Sequence, residues 1–487
     1  MKNLDELIKD LTVKQIIGPT HRPISSLSLD SRIIEKDSCF FAVSGTKQDG
    51  HLFAKDAFLG GARTIVCQHP LENAENMSGI TQIVVEDTQE AMAHMAEAFY
   101  DYPSRKLKVV GVTGTNGKTT IATLLYDLVG KLGFKAGLIS TVIYRIGERS
   151  VASTHTTPDA IRLACMMNEM VQAGCTYCFM ECSSHAISQH RIDGINFHGA
   201  LFTNLTHDHL DYHHTFAEYL KAKKRFFDIL PGEAFALVNA DDKNGSVILQ
   251  NTRAKKYTLA LKTMADFKCK ILEEVPQGML LKIDGREVWT KLIGRFNAYN
   301  LLTIYGAAVL LGFDKDDVLQ IISTLNAVCG RMETCIAHDG TRAVIDYAHT
   351  PDALENVLLT LREVRKDKER IITVCGCGGD RDKTKRPKMA HIAEQLSDMV
   401  ILTSDNPRTE NPEDILADME TGIENKDCYL RISDREMAIK TAVSMAQKND
   451  IILIAGKGHE DYQIIGTEKI HFSDKECVEN YFAKIKG

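Results

Sequence analysis

Residues Val109–Thr120 read VVGVTGTNGKTT, and this stretch constrains the fold more than any other. Two β-branched residues lead into Gly111, and Gly114 and Gly117 bracket a short polar loop. Lys118, Thr119 and Thr120 then open a segment in which Ile121, Leu124, Leu125, Leu128, Val129 and Leu132 recur at helical spacing, closed by Gly133. A strand, a glycine-rich turn and a helix N-terminus form a phosphate-binding device. The glycines admit backbone N–H groups to the oxygens, and the helix dipole favours the anion. Lys118 is expected on the β- and γ-phosphates and the Thr119 hydroxyl on Mg²⁺. Five residues rather than four separate Gly111 from Gly117, so the match to G-x-x-x-x-G-K-[ST] is imperfect. A tight turn capping a core helix would explain the glycines but not Lys-Thr-Thr at the helix start. The stretch points to a nucleoside triphosphate.

The rest of the composition leaves room for a large soluble enzyme. At 487 residues the length suggests about three domains of ~150 residues each. A net charge of −7 gives no support for binding nucleic acid or an anionic membrane. No run of about 18 apolar residues occurs, so no membrane span is expected. The N-terminal MKNLDELIKDL reads as a charged amphipathic helix without the apolar centre of a signal peptide. Thirteen cysteines are scattered, many in apolar strands such as Ile65-Val66-Cys67 and Thr373-Val374-Cys375. They read as reduced, buried thiols of a cytoplasmic protein. Cys375-Gly-Cys377 is too tightly spaced for a C-x-x-C metal knuckle and receives no role.

Pattern divides the chain into an α/β protein of three domains. These are a small N-terminal α/β domain (1–103), a central P-loop domain with a mostly parallel sheet (104–330), and a C-terminal Rossmann-like α/β domain (331–487). In the first, Cys39–Val43, Arg63–Cys67 and Gln82–Val85 read as strands and His51–Leu59 as helix. Ser28–Arg32 and Ser44–Lys47 carry hydroxyls near Arg and Lys that suit a phosphate or sugar, although a solvated turn is the plainer meaning. Tyr102-Pro103-Ser104 reads as a linker.

In parallel sheets ligands sit beyond the carboxyl ends of the strands. Three polar clusters of the central domain fall at such places: Thr156-Thr157-Pro158, Glu181–His185 with Gln189, His190 and Arg191, and Asn204–His213. The last, with His207, Asp208, His209 and Asp211, is competent to ligate metal, but a zinc hydrolase would leave the phosphate loop unexplained. Tyr219–Phe227 is a basic helix face, for which solvation is the usual meaning. Gly294–Asn300 opens another helix, its asparagines suited to capping or to a purine edge. The C-terminal strands Ala343–Tyr347, Ile371–Cys375, Met399–Thr403 and Ile451–Ala455 also end in polar loops. These loops hold Asp346–His349, Gly378–Asp382, Ser404–Arg408 and Gly456–Glu460. Two domains with loaded strand ends suggest a cleft that closes on substrate.

The segments TGTNGKTT, ECSSHA with QHR, NLTHDHLDYH, YLKAK, FNAYN, GRME, DYAHTP, GCGGDRD, DNPR and GKGHE follow in one order along the chain. In that order they resemble the Mur ligases over essentially the whole length, and among them the members that add the third residue of the peptidoglycan stem peptide. The five-residue loop is normal in that family. The resemblance implies an ATP-dependent amide ligase of the cytoplasm, a monomer, using ATP and Mg²⁺. It would join meso-2,6-diaminopimelate to the D-Glu carboxylate of UDP-N-acetylmuramoyl-L-alanyl-D-glutamate through an acyl phosphate.

It further implies that Gly114, Thr115, Asn116, Gly117, Lys118, Thr119, Thr120, Asn300, Arg331 and Asp346 contact ATP. Thr119 and Glu181 would hold one Mg²⁺, and His209 and a carbamylated Lys223 (N6-carboxylysine) a second, with Lys118, Glu181, His209 and Lys223 essential to catalysis. Ser31, Thr156, Thr157, Ser183, Gln189 and Arg191 would bind the UDP-muramoyl dipeptide. Arg381, Asp405, Asn406, Pro407, Arg408, Gly456 and Glu460 would form the amino-acid pocket. There Arg408 would grip the second carboxylate of diaminopimelate, Arg381 the other, and Glu460 the distal ammonium. Lysine-adding members usually lack the DNPR arginine. A lysine-adding ligase, the dipeptide-adding ligase of the next step, folylpolyglutamate synthetase and a nucleotide-switched binding protein are the alternatives.

Overall fold

The computed structural model describes residues 1–487 except 46–47, 73–75, 207, 209, 367 and 485–487. Its strands gather into three large sheets, one after another along the chain. The first runs in the order Val13–Ile17, Thr81–Val85, Thr64–Cys67, Cys39–Phe41, Leu27–Ser28, with only the Val13–Ile17 edge antiparallel. Its inner strands are buried at every residue, as a parallel sheet covered on both faces requires. Thr88–Phe99, capped by Asp87, covers one face and Ala54–Gly60 the other. The N-terminal segment differs from its reading as one amphipathic helix. Lys2–Asn3 pair with Pro23–Ile24, Asn3 caps a helix of Leu4–Leu7 alone, and the chain then turns into the edge strand.

The central sheet has eleven strands. Seven are parallel, in the order Ala136–Ile139, Tyr177–Glu181, Lys108–Thr113, Phe197–Phe202, Phe235–Asn239, Lys255–Ala260, Phe267–Val275. Antiparallel ribbons extend both edges: Ile143–Ile146 with Arg149–Ala152, and Gly278–Ile283 with Arg286–Thr290. The second ribbon is missing from the sequence reading, which saw only strand–helix alternation. Its neighbour FKCKILEEV packs Phe267 and Cys269 into the core beside Arg295–Leu310 and leaves its other side wet. Lys118–Lys131 and Arg295–Leu310 pack on one face of the sheet, Ala160–Gln172 and Phe216–Asp228 on the other.

The C-terminal sheet runs Glu333–Ile336, Arg342–Asp346, Ile451–Ala455, Ile371–Cys375, Met399–Leu402, Tyr429–Arg431, parallel except at its first edge. Shared strand direction has one consequence for function: the carboxyl ends Asp346, Cys375, Leu402 and Ala455 lie along one rim. The loops Tyr347–Thr350, Gly376–Arg381, Thr403–Arg408 and Gly456–Glu460 therefore leave from the same side. The central sheet does the same with the loops after Thr113, Glu181 and Phe202. Tyr102–Ser104 is no loose linker. Ser104 is buried and its Oγ donates to Glu97 at 2.7 Å.

Candidate functional site

The phosphate loop is held in shape by its neighbours. Gly114 has φ +148°, and a Cβ there would collide with Thr203 Oγ1, the hydroxyl that donates to Asn116 O at 2.6 Å. Gly117 precedes the helix Lys118–Lys131 with φ +90°, and its Cβ would lie 2.6 Å from Asn300 Oδ1. Both positions demand glycine. Thr115 N and Asn116 N donate to Asn204 O and Oδ1, each at 2.9 Å.

Two lysines converge on this loop. Lys118 Nζ donates to Gly114 O (2.9 Å) and Thr115 O (2.7 Å), and Lys223 Nζ donates to Gly114 O (2.8 Å). The solvated reading of the Tyr219–Phe227 face thus fails at one residue. Lys221 is 79% exposed and Lys224 pairs with Asp228 at 2.5 Å, but Lys223 is buried 4.5 Å from the Tyr219 ring centre. It belongs to the stripe Tyr219, Ala222, Phe226 and Phe227, at helical spacing. Burial lowers the Lys118 ammonium against the pull of Glu181 and Asp208. Lys223 falls well below the lysine range, through burial and then through its neighbour Lys118. Two cationic groups share one carbonyl, an arrangement that an anion would relieve.

Around this centre the structure collects most of the expected residues. Glu181 is buried and accepts from Thr141 N at 2.7 Å. Thr157 Oγ1 donates to Glu181 O (2.7 Å) and accepts from Ser183 N (3.2 Å). Thr141 Oγ1 donates to Thr156 Oγ1 at 3.0 Å. Arg191 binds Thr157 O at 2.7 Å and forks onto Gln189 Oε1 at 3.1 and 2.6 Å. Thr156, Thr157, Ser183, Gln189 and Arg191 thus form one patch. Ser31 opens a turn of the N-terminal domain, and among the described residues its side chain makes no hydrogen bond to that patch. His207 and His209 lie outside the described residues.

The C-terminal domain reaches into the same place. Arg331 donates to Thr119 Oγ1 at 3.1 Å and lies 4.5 Å from the Tyr347 ring centre. Asp346 is buried and accepts from Met332 N (2.7 Å) and Ala348 N (2.8 Å); burial raises its carboxyl, and Arg331 opposes that. A cavity of about 370 Å³ opens between the two domains, lined by Asn116, Thr120, Asn300, Arg331, Asp346 and Asp352 among others. The two asparagines of FNAYN divide the work. Asn297 ties its own helix start down by donating to Ile293 O at 2.8 Å and accepts from Asn300 Nδ2 at 3.0 Å, and Asn300 Oδ1 faces the loop.

The loops expected to form the amino-acid pocket meet at a residue not assigned from sequence. Lys457 is fully buried and its Nζ bridges Asn406 Oδ1 (3.2 Å) and Glu460 Oε2 (3.1 Å). Asn406 also donates to Glu460 (2.9 Å) and accepts from Ile464 N (3.0 Å). Gly456 lets Asp405 approach, since a Cβ there would sit 2.6 Å from Asp405 Oδ2. Arg408 has φ +50° and its guanidinium folds onto Gly379 O at 2.7 Å. Pro407 O accepts from Glu410 N at 3.1 Å. Arg381 is exposed and binds only its neighbour's carbonyl, Asp380 O, at 3.4 Å among the described residues, so the structure does not bring it into this network.

Three family models cover most of the chain: "Mur ligase family, catalytic domain" matches 23–100, "Mur ligase middle domain" 112–308, and "Mur ligase, glutamate ligase domain" 330–458. The chain belongs to the Mur ligase family. It is 54% identical to the UDP-N-acetylmuramoyl-L-alanyl-D-glutamate–2,6-diaminopimelate ligase of Parabacteroides distasonis, over 99% of each chain. A solved structure of a ligase of that name superposes with TM-score 0.71 at 32% identity, covering 99% of each chain. A MurF ligase from Thermotoga maritima in complex with ADP shares the fold at 18% identity, TM-score 0.61, over 94% of this chain and 97% of that one.

Mur ligases are ATP-dependent, and this one has the donors that Mg²⁺ prefers. The Thr119 hydroxyl and the Glu181 carboxylate are hard oxygen donors near the two buried lysines of the loop. Among the described residues no three His, Cys, Asp or Glu side chains converge into a metal cage. Magnesium bound chiefly through nucleotide oxygens needs none. Two buttresses of this Mur ligase also went unread. Arg435, paired with Asp474 in full burial, donates to Ser404 O (3.3 Å) and Ala455 O (3.0 Å) and ties two strand ends together. Lys385 donates to His349 O at 2.9 Å. Lys457 had a signal, because it sits inside GKGHE; Arg435 had none that is local.

Proposed function

We propose that the protein joins meso-2,6-diaminopimelate to the D-glutamyl carboxylate of UDP-N-acetylmuramoyl-L-alanyl-D-glutamate, converting ATP to ADP and phosphate, in the cytoplasm during peptidoglycan synthesis. The observation that carries this reading is the Arg331–Thr119 contact, by which the amino-acid-binding domain meets the nucleotide loop. Full-length identity to the ligase of Parabacteroides distasonis supports the choice of substrate. We take 1–103, 104–330 and 331–487 as the UDP-substrate, ATP and amino-acid units, and the monomer as the working form.

The carboxylate must first be activated. Gly114 to Thr120, Asn300, Arg331 and Asp346 hold ATP, and Lys118 leaves the loop carbonyls for the phosphoryl oxygens, where charge accumulates. Thr119 and Glu181 would hold one Mg²⁺, and His209 and the Lys223 carbamate a second, and the bound ions would supply further positive charge to the phosphoryl oxygens. Burial and the neighbouring Lys118 push the Lys223 amine toward the neutral form, the form that adds to CO₂. An N–C bond forms, one proton leaves, and an anionic oxygen ligand replaces a buried cation. Ser31, Thr156, Thr157, Ser183, Gln189 and Arg191 orient the UDP substrate. The resulting acyl phosphate is attacked by the amine, and the tetrahedral intermediate expels phosphate.

Arg408 supplies the planar bidentate donor for the far carboxylate. Asp405, Asn406, Gly456 and Glu460 shape the pocket, and Arg381 closes it when it swings in. The test is phosphate release with the UDP dipeptide and a panel of amino acids. A kcat/KM for diaminopimelate about 10²-fold or more above lysine is expected; equal values would overturn the substrate assignment. Lys223→Ala is expected to abolish ligation, with partial recovery on adding a small carboxylic acid.

A further inference from the structure

Asp352 has no role in the scheme above, yet it connects two domains. It lies in the first turn of Pro351–Val364, after the cap Thr350 and the loop that leaves the C-terminal strand Arg342–Asp346. Its Oδ2 accepts from Asn116 Nδ2 at 2.8 Å and from Thr206 Oγ1 at 3.2 Å. Both donors belong to the central domain, 236 and 146 residues away in sequence. Asn116 stands inside the phosphate loop and Thr206 at the start of the NLTHDH loop. Their main chains are already secured: Asn116 N on Asn204 Oδ1 at 2.9 Å, Thr206 N on Thr115 Oγ1 at 3.0 Å. Only their side chains remain to be placed, and one oxygen of the other domain places both.

We propose that Asp352 is a positioning residue that couples closure of the C-terminal domain to the phosphate loop. This rests on the functional reading of that cleft. Both donors reach the same oxygen, so an acceptor is required there and a charge is not. The half-buried carboxylate supports this, since burial already raises it toward the neutral form. Asp352→Asn presents one carbonyl oxygen to both donors; Asp352→Leu keeps the volume and offers none.

Turnover, equilibrium binding of an ATP analogue, and small-angle X-ray scattering with that analogue and the UDP substrate form the test. Asp352→Asn is expected within about threefold of wild type in kcat. Asp352→Leu should lose about tenfold or more in kcat, bind the analogue within about threefold of wild type, and fail to compact. With both donors removed, in an Asn116→Ala and Thr206→Val background, the Leu substitution should cost less than about twofold more, the mark of a shared contact. If Asp352→Leu does not fold, Thr206→Val, which removes one donor, should still show a partial kcat loss. An Asn variant as impaired as Leu, an additive Leu loss in the doubly substituted background, or a wild-type Leu or Val variant would overturn the proposal. Scattering does not depend on the amine used, so a wrong substrate assignment would show in wild-type turnover and leave the closure result standing.

Discussion

The phosphate loop and the amino-acid pocket are built in opposite ways. The loop is finished before any ligand arrives: main-chain bonds to Asn204, two obligatory glycines and two lysines hold its geometry within one domain. The proposed pocket is a set of loops from separate strands, stitched by buried Lys457 and Arg435, and neither Arg381 nor Arg408 hydrogen-bonds to Lys457 or Glu460 among the described residues. Arg408 rests on Gly379 O, and Arg381 is exposed. Phosphate is common to every ATP ligase and tolerates a rigid, local cradle. A particular amino acid has to be enclosed, and the groups that judge it stay movable until it binds.

The sharpest way to break this contrast is at Lys118. Lys118→Ala removes a fixed cation from developing phosphoryl charge, and kcat should fall about 10²-fold or more whichever amino acid is offered. Activity within a few-fold of wild type would show that the rigid half has been misassigned. Arg408→Ala should act on one substrate only. We expect kcat/KM for diaminopimelate to fall about 10²-fold, so that the preference over lysine collapses while the KM for ATP holds. Lys457→Met tests the stitching. Glu460 and Asn406 lose their shared cation, and the KM for diaminopimelate should rise about tenfold with ATP affinity unchanged. An equal rise in both KM values would mean that the two halves are one rigid unit.

The smallest effect concerns the junction between the first two domains. Glu97 accepts from Ser104 at 2.7 Å, and its other oxygen is buried without a hydrogen-bond partner among the described residues. Burial pushes its carboxyl up to about 7. As pH rises from the ordinary carboxylate range to 7, the unfolded chain loses this proton first, so stability falls across that window and levels off above it. Glu97→Gln keeps the acceptor for Ser104 without the charge. Its Tm should exceed wild type by roughly 2–4 °C at pH 8, and the difference should vanish near pH 4. A constant difference across that range would show that Glu97 does not titrate there.

Local chemistry was readable without coordinates. Val109–Thr120 specifies strand, loop and helix, because each glycine, the lysine and the apolar period act within a few residues of one another. The apolar runs Ile371–Cys375 and Ile451–Ala455 likewise announce covered parallel strands, and parallel strands put their loops on one rim. Tertiary structure alone decided the rest. It turned Lys223 inward and left Lys221 in solvent, although both stand on one short helix. It left Arg381 outside the Lys457 network, cut the N-terminal helix to Leu4–Leu7, and brought Asp352 to Asn116 across 236 residues. Local residue patterns establish which groups are available and how each element is phased. Which group meets which depends on the packing of one domain against another, and that is set by surfaces too far apart in the chain for any local pattern to record.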